Sequence, residues 1–341
     1  MEVTPGIPAC FSITKGSADD ARWTGAVRAG GEGPTGIVDR APATWGLAAR
    51  GALVEDGGPP LHHADLDRRD EVWADIAPKL YAQALAGQWD PATAVDWTAA
   101  IEHEPAVEAA VVQVMTYLIE NEQAALVVPA RFIARVHPHF REVVQLLAVQ
   151  AADEARHVEV FTRRAGLSGG PLGTSGAGGR ASLQTLLDEP DFSLAAFLLS
   201  VLGEGTFLDL LSFLERHGPD PVTRRVAHLA LADEARHVAF GVAHLEHRVR
   251  HEPALRGRLR AAVEHRHDVL ASTAGLHAGV YDALVVLAAG AWTPGAIASG
   301  WDRVQALIAD MDEGRRRRLA RLGFSAGEAA ELSALHTRNF M

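Results

Sequence analysis

One heptapeptide, Ala-Asp-Glu-Ala-Arg-His-Val, occurs twice in this chain, at 152–158 and again at 232–238. Residues three apart lie on one face of a helix, so Glu154 and His157 point the same way, as do Glu234 and His237. Both copies sit in apolar stretches. Val144, Leu146, Leu147 and Val149 lead into the first, Leu229 and Leu231 into the second. Alone, such a peptide is ordinarily a solvated helix face laced with local ion pairs. Carboxylates and imidazoles repeated inside apolar helices need partners, because an unpaired buried charge is very costly. A cation held between the two faces removes that cost.

Each copy is preceded by a further glutamate. Glu122, in Tyr-Leu-Ile-Glu-Asn-Glu-Gln-Ala-Ala-Leu, lies 32 residues before Glu154, and Glu204, in Val-Leu-Gly-Glu-Gly-Thr-Phe-Leu, lies 30 before Glu234. That spacing suits two antiparallel helices joined by a short loop, with the side chains of interest near mid-helix. One Glu from each of two helices, with Glu-x-x-His from each of two others, is the donor set of a di-metal carboxylate site in a four-helix bundle. Glu120 competes with Glu122 in the same apolar stretch. Glu122 is preferred because Ala124 and Ala125 leave room beside it, as Gly203 and Gly205 do beside Glu204.

On these residues the chain resembles the ferritin-like di-iron carboxylate superfamily over roughly 105–250. Asp-Glu-x-Arg-His in particular is similar to the iron-binding motif of bacterial multicomponent monooxygenase hydroxylases and plant-type acyl desaturases. The resemblance implies two Fe, or a Mn/Fe pair. Glu122, Glu154 and His157 would hold one metal and Glu204, Glu234 and His237 the other, with Glu154 and Glu234 able to bridge. It further implies that Asp153 and Asp233 accept from the histidine N–H groups, and that Arg156 and Arg236 hold those aspartates. The implied activity is that of an enzyme activating O2 to oxidise a small organic substrate by hydroxylation, N-oxygenation or desaturation. An external electron donor would supply it, and no catalytic group beyond the metal ligands is required. Phe132, Phe161, Thr206, Phe207 and Leu208 are candidates for a substrate pocket, although aromatic residues on bundle helices are more often plain core.

Other members of the superfamily fit less well. Cage-forming ferritins are a single short bundle, and the long additions before and after this one would obstruct a shell, which weighs against iron storage. The small subunit of ribonucleotide reductase carries a Tyr two turns after the first Glu-x-x-His glutamate, where this chain has Phe161. Tyr117 is turned away from the ligand face. A manganese–iron redox protein without that tyrosine stays open. Multicomponent hydroxylases place a Thr one turn after the third-helix Glu; here the position is Leu208, and Thr206 is offset. Arylamine N-oxygenases share the size and ligand order, but carry an extra His one turn before the last Glu, where this chain has Ala230. His228 faces away, and His244, His247 and His251 follow along the same helix.

The remaining sequence predicts an all-α chain, a ferritin-like four-helix bundle with a long crossover between helices 2 and 3 and additional N- and C-terminal helices. Residues 1–65, rich in Gly, Pro and Ala, read as an irregular arm, and 66–341 as the helical domain with its core bundle at about 105–251. Helical periodicity begins over 66–86, and Asp90-Pro91 looks like a cap with Pro at N1. The ligand helices are predicted from Pro105 past Glu122 with a kink at Pro129, from Pro138 to about Arg164, over 192–216, and from Asp220-Pro221 to near His251. Residues 166–180 read as a flexible linker, and they lack the Gly-Lys-Ser/Thr ending of a phosphate-binding loop. Ser325 to Glu328 forms a capping box. The net charge of −11 argues against a nucleic-acid partner. Arg315 to Arg318 read as a solvated face. The lone Cys10, the absence of a secretory signal, and an apolar stretch at 280–292 too short to span a bilayer point to a cytoplasmic protein without membrane association, a possible homodimer. Trp23, Trp45, Trp73, Trp89, Trp97, Trp292 and Trp301 lie outside the ligand helices and read as anchors for outer layers.

Overall fold

In the computed structural model, which describes residues 36–270 and 278–337, prolines and short polar caps set many helix starts. A four-residue helix α1 (Arg69–Val72) is followed by α2 (Ala77–Ala86), with Pro near its start. The first long helix, α3 (Pro105–Ile133), begins on a proline whose missing N–H costs nothing at that position. A 3-10 turn over Pro138–Phe140 leads into α4 (Arg141–Ala165), and α5 (Ala177–Leu187) lies in the crossover. Asp191 caps α6 (Phe192–Ala196), which continues through a π-helical segment, Phe197–Gly203, into α7 (Glu204–His217). Asp220 caps α8 (Pro221–His251), its Oδ1 accepting from the Thr223 N–H at 2.7 Å. Beyond it come α9 (Leu255–Leu270), α10 (Ala278–Ala289), α11 (Pro294–Arg321) and α12 (Ala326–Thr337). No strand occurs among the described residues; isolated bridges tie Arg40 to Arg68 and Leu66 to Val136.

Helix α3 pairs with α4 and α7 with α8, and the packing of α4 on α8 joins the pairs into a four-helix bundle. Helix α2 lies across α4 and α8, α10 packs on α3, α11 on α7 and α10, and α12 on α9 and α11. The expected topology of two antiparallel pairs joined by one long crossover is present, with helices added at both ends.

Several local expectations change. Asp90-Pro91 caps a turn rather than a helix, with Asp90 Oδ1 accepting from the Ala92 N–H at 2.8 Å. Helix α3 runs on through Pro129 for one further turn. The crossover is not a free linker. The Gly173 N–H donates to Thr116 Oγ1 and the Thr174 N–H to Gln113 Oε1, both at 2.8 Å. A Cβ on Gly173 would stand 2.7 Å from Gln113 Oε1, so the glycine permits this approach to α3. Arg315 to Arg318 are not a solvated face either. One turn apart, Arg315 and Arg318 point inward, with Arg315 Nε bonded to Ser333 Oγ at 3.0 Å and Arg318 Nε to the Val201 carbonyl at 2.8 Å. Only Arg316 and Arg317 face out. Among the described residues, Phe192–His217 is one continuous helical segment long and apolar enough to cross a membrane, and 83% of its apolar window is buried in the bundle; the stretch at 280–292 is too short by itself, as expected. The Ser325–Glu328 capping box is formed, with the Ser325 N–H donating to Glu328 Oε2 at 2.8 Å. Cys10 and Trp23, with most of the expected arm, lie outside the described residues.

Two apolar clusters fill the bundle, one at each end. The first gathers Phe132, Leu147, Phe192, Leu202 and Phe240, and the second Met115, Phe161, Phe207, Leu214 and Ala227. Each ligand helix contributes to both clusters and, between them, interrupts its apolar run at Glu122, at Glu154 to His157, at Glu204, and at Glu234 to His237. The four interruptions fall at one level.

Candidate metal centre

At that level the six side chains converge, and all are buried, none more than 4% exposed. Glu122, Glu154, His157 and Glu234 present ligand atoms within 4.8 Å of one another, and so do Glu154, Glu204, Glu234 and His237. Glu154 and Glu234 belong to both groups. The structure thus separates Glu122 from Glu120, which is only half-buried and belongs to neither group. Glu122→Ala is expected to lose metal while Glu120→Ala retains it, a contrast that metal analysis of the two purified variants measures directly. The reverse pattern would shift the donor register by two residues.

The histidines are oriented from behind. His157 Nδ1 faces the cluster, 3.2 Å from Glu154 Oε2 and 3.2 Å from Glu234 Oε1, while its Nε2 lies 3.2 Å from Asp233 Oδ2. His237 Nδ1 lies 2.9 Å from Glu154 Oε1, and its Nε2 is 3.2 Å from Asp153 Oδ2. With Nε2–H donating to an aspartate, each ring turns its Nδ1 lone pair toward the cluster. The aspartate supports are crossed: Asp233, beside Glu234, holds His157, and Asp153, beside Glu154, holds His237. Arg156 binds both aspartates, reaching Asp233 Oδ2 at 3.1 Å, and Arg236 binds Asp233 and approaches Asp153 at 3.6 Å.

Three further residues join the site without any sequence motif to announce them. Trp89, read as an outer anchor, donates its Nε1–H to Asp233 Oδ2 at 2.8 Å, and Arg156 stacks over its ring at 5.0 Å. Gln88 donates to Asp153 Oδ1 at 3.1 Å. Gln150 donates to Glu204 Oε1 at 3.0 Å. Its position one turn before Glu154 is a usable signal, whereas Gln88 and Trp89 arrive from a loop that only the packing of α2 places.

Several donor atoms have no hydrogen-bond partner: Glu122 Oε1, Glu154 Oε1, Glu204 Oε2, both oxygens of Glu234, and His237 Nδ1. Buried acceptors left unmatched are costly, and here they converge. Burial, then repulsion from Glu154 and Glu234, pushes the pKa of Glu122 well up, and burial with the same two neighbours does so at Glu204. Burial opposes charge on His157, yet the carboxylates of Asp233, Glu122, Glu154 and Glu234 hold its pKa well above the usual imidazole value. Fully ionised, the four glutamates would carry −4, while Asp153 and Asp233 are balanced by Arg156 and Arg236. Two divalent cations supply the compensating +4. Oxygen-rich donors with two imidazoles and no thiolate suit iron or manganese better than copper or structural zinc. The residues present fit a metal pair.

The apolar substrate-pocket candidates are divided between the two clusters. Phe161 and Phe207 belong to the second apolar cluster, Phe161 with its ring centroid 6.3 Å from that of His157. Leu208 packs half-buried against the first cluster, and Thr206 Oγ1 donates to the Leu202 carbonyl and accepts from Arg315 at 3.2 Å. A narrow cavity of about 20 Å³ adjoins the site through Gln150 and Ser200, walled by Phe132, Leu147, Phe192 and Phe240. His244 is fully buried between Ser193 Oγ at 3.1 Å and the Trp73 carbonyl at 3.3 Å, and burial drives its pKa down to about 3. It is a neutral structural histidine. His228 is exposed and pairs with Glu215 at 2.8 Å.

No family model and no curated protein matches the chain in sequence. Among solved structures, it superposes on a point mutant of an R2-like ligand-binding oxidase with aerobically reconstituted Mn/Fe cofactor, with a TM-score of 0.52 at 18% identity, over 76% of this chain and 94% of that one. The chain has the ferritin-like fold. A protein with aldehyde deformylating oxidase activity from Synechococcus matches at a TM-score of 0.47 and 18% identity, over 67% of this chain and 96% of that one. The ferritin-like assignment rests on the first of these and on the helix order. In that bundle the four interruptions occupy the middle of the ligand helices, where this fold builds its carboxylate sites.

Proposed function

We propose that this ferritin-like protein is an oxidoreductase that binds two iron ions, or a manganese–iron pair, and uses O2 to oxidise a small organic substrate. The observation that carries the reading is the pair of overlapping donor groups, fully buried, sharing Glu154 and Glu234 and ending in unmatched oxygens. The Mn/Fe cofactor of the R2-like ligand-binding oxidase supports the choice of metals. When bound, such a pair supplies the electrons that reduce O2 and the oxidising power directed at the substrate.

The chain's own residues supply the setting. Glu154 and Glu234, which belong to both donor groups, would serve both metals, and Glu122 and Glu204 would serve one each. Asp153 and Asp233 keep the imidazole protons on Nε2, so the Nδ1 lone pairs remain free for metal. The apolar clusters on either side keep water from the site, which protects an oxidant from wasteful reactions. Phe161 fills the place of a radical-bearing tyrosine, and Tyr117 packs on Phe207 with ring centroids 5.9 Å apart. Neither arrangement favours a tyrosyl-radical role.

Anaerobic Fe(II) titration followed by O2 exposure tests the reading. Binding should saturate near two Fe(II) per chain, and consumption should stop after about one O2 per metal pair until a reductant is added. Iron oxidised far beyond two per chain and kept as a mineral would instead establish storage. Incorporation of ¹⁸O from labelled O2 into a substrate then separates oxygen insertion from desaturation.

A further inference from the structure

The repeated heptapeptide allows the halves of the cluster to be compared position by position. One turn before its glutamate the first copy has Gln150 and the second has Ala230. Gln150 is 3% exposed and ties Glu204 Oε1 at 3.0 Å, leaving Oε2 as the unpartnered oxygen. Ser200 lies on the same cavity wall. Ala230 offers Glu122 no such donor. The neighbours of Glu122 are other members of the cluster: His157 Nδ1 lies 3.4 Å from its Oε2, and its Oε1 has no hydrogen-bond partner. One outer glutamate is therefore held by a side chain that is not itself a donor to the metal, and the other is not. The uncharged cavity lies on the fixed side.

We propose that Gln150 is a positioning residue that makes the two metal positions unequal. By occupying one oxygen of Glu204, it leaves the Glu204–His237 position with a single terminal carboxylate oxygen and an open side toward the cavity between Gln150, Ser200, Phe132 and Phe240. Glu122 is free to give both oxygens to the other position. The Glu122–His157 position then fills first and more tightly. The Glu204–His237 position fills second and is the one that a small uncharged molecule reaches from the cavity. Charged groups would lack a partner on that wall, since no ionisable side chain lines it.

This inference rests on the metal-binding reading, and titration of the metal-free full chain with Co(II) under anaerobic conditions separates the two. Absorption and calorimetry on the parent should resolve two steps with constants about tenfold or more apart, the scale on which hydrogen bonds to metal ligands act. Glu204→Gln should remove the weaker step and keep the tighter one. Gln150→Leu and Gln150→Met, near in volume but lacking the donor, should bring the constants to within about threefold while two Co(II) still bind. They should also change the spectrum of the second-filled ion, which a purely structural role would leave alone. Equal constants in the parent, an unchanged separation in both Gln150 variants, or loss of the tighter step in Glu204→Gln would overturn the proposal. Absence of any Co(II) binding would instead remove the metal-binding reading, and this inference with it.

Discussion

Replacing either Glu154 or Glu234 with Ala will bring metal binding below two ions per chain and abolish reaction with O2. These glutamates are set apart from Glu122 and Glu204 because each contributes to both donor groups. Removing Glu154 also takes away the oxygens that face His157 at 3.2 Å and His237 at 2.9 Å. The loss reaches across the whole cluster, whereas loss of an outer glutamate strikes one end. Metal analysis after anaerobic Fe(II) loading, paired with an oxygen electrode, makes the comparison. Two ions bound and normal O2 consumption in both variants would disprove the site assignment.

Gly241→Ala will damage the bundle itself. A Cβ at this position would stand 2.3 Å from Ser200 Cβ, closer than such atoms ever approach, and Ser200 sits in the π-helical segment that delivers Glu204. Gly241 lies one turn beyond His237 on α8, so the two helices must separate to admit the methyl group. Overpacking of this kind costs roughly 1–3 kcal/mol, and the displacement falls on the two donors of one metal position. The expected result is a lower denaturation midpoint together with loss of the ion at Glu204 and His237. A variant that unfolds like the parent and still binds two ions would show that the close passage of α8 past Ser200 is not required.

Much of this was legible in the sequence because the donors obey helix arithmetic. The three-residue step from Glu154 to His157, the same step from Glu234 to His237, and the spacing back to Glu122 and Glu204 locate the pairs of helices without reference to packing. Proline and aspartate marked the starts of α3 and α8. The π-helical segment was not legible, because Phe197–Gly203 reads as ordinary apolar helix and only the close passage of α8 at Gly241 reveals it. Gln88 and Trp89 were hidden for another reason: they sit outside any periodic element, and their role depends on how α2 lies over α4 and α8. The inward turn of Arg315 and Arg318 likewise depends on α12 and the π-helical segment lying against that face of α11. Local pattern placed the donors, and tertiary packing supplied what holds them still.

The crossed aspartates carry a consequence for how such a site can be divided. If each half of the repeat supported its own histidine, the α3–α4 hairpin would carry Glu122, Glu154, His157 and the aspartate behind that imidazole. Instead Asp233 stands behind His157 and Asp153 behind His237. Neither hairpin contains a histidine together with its own support. Co-expressed as two fragments, the halves would regain their oriented imidazoles only on reassociation, and drift at Asp153 in one half would be felt first at His237 in the other. The duplication is therefore locked: its copies can diverge at Gln150 and Ala230, but they cannot part.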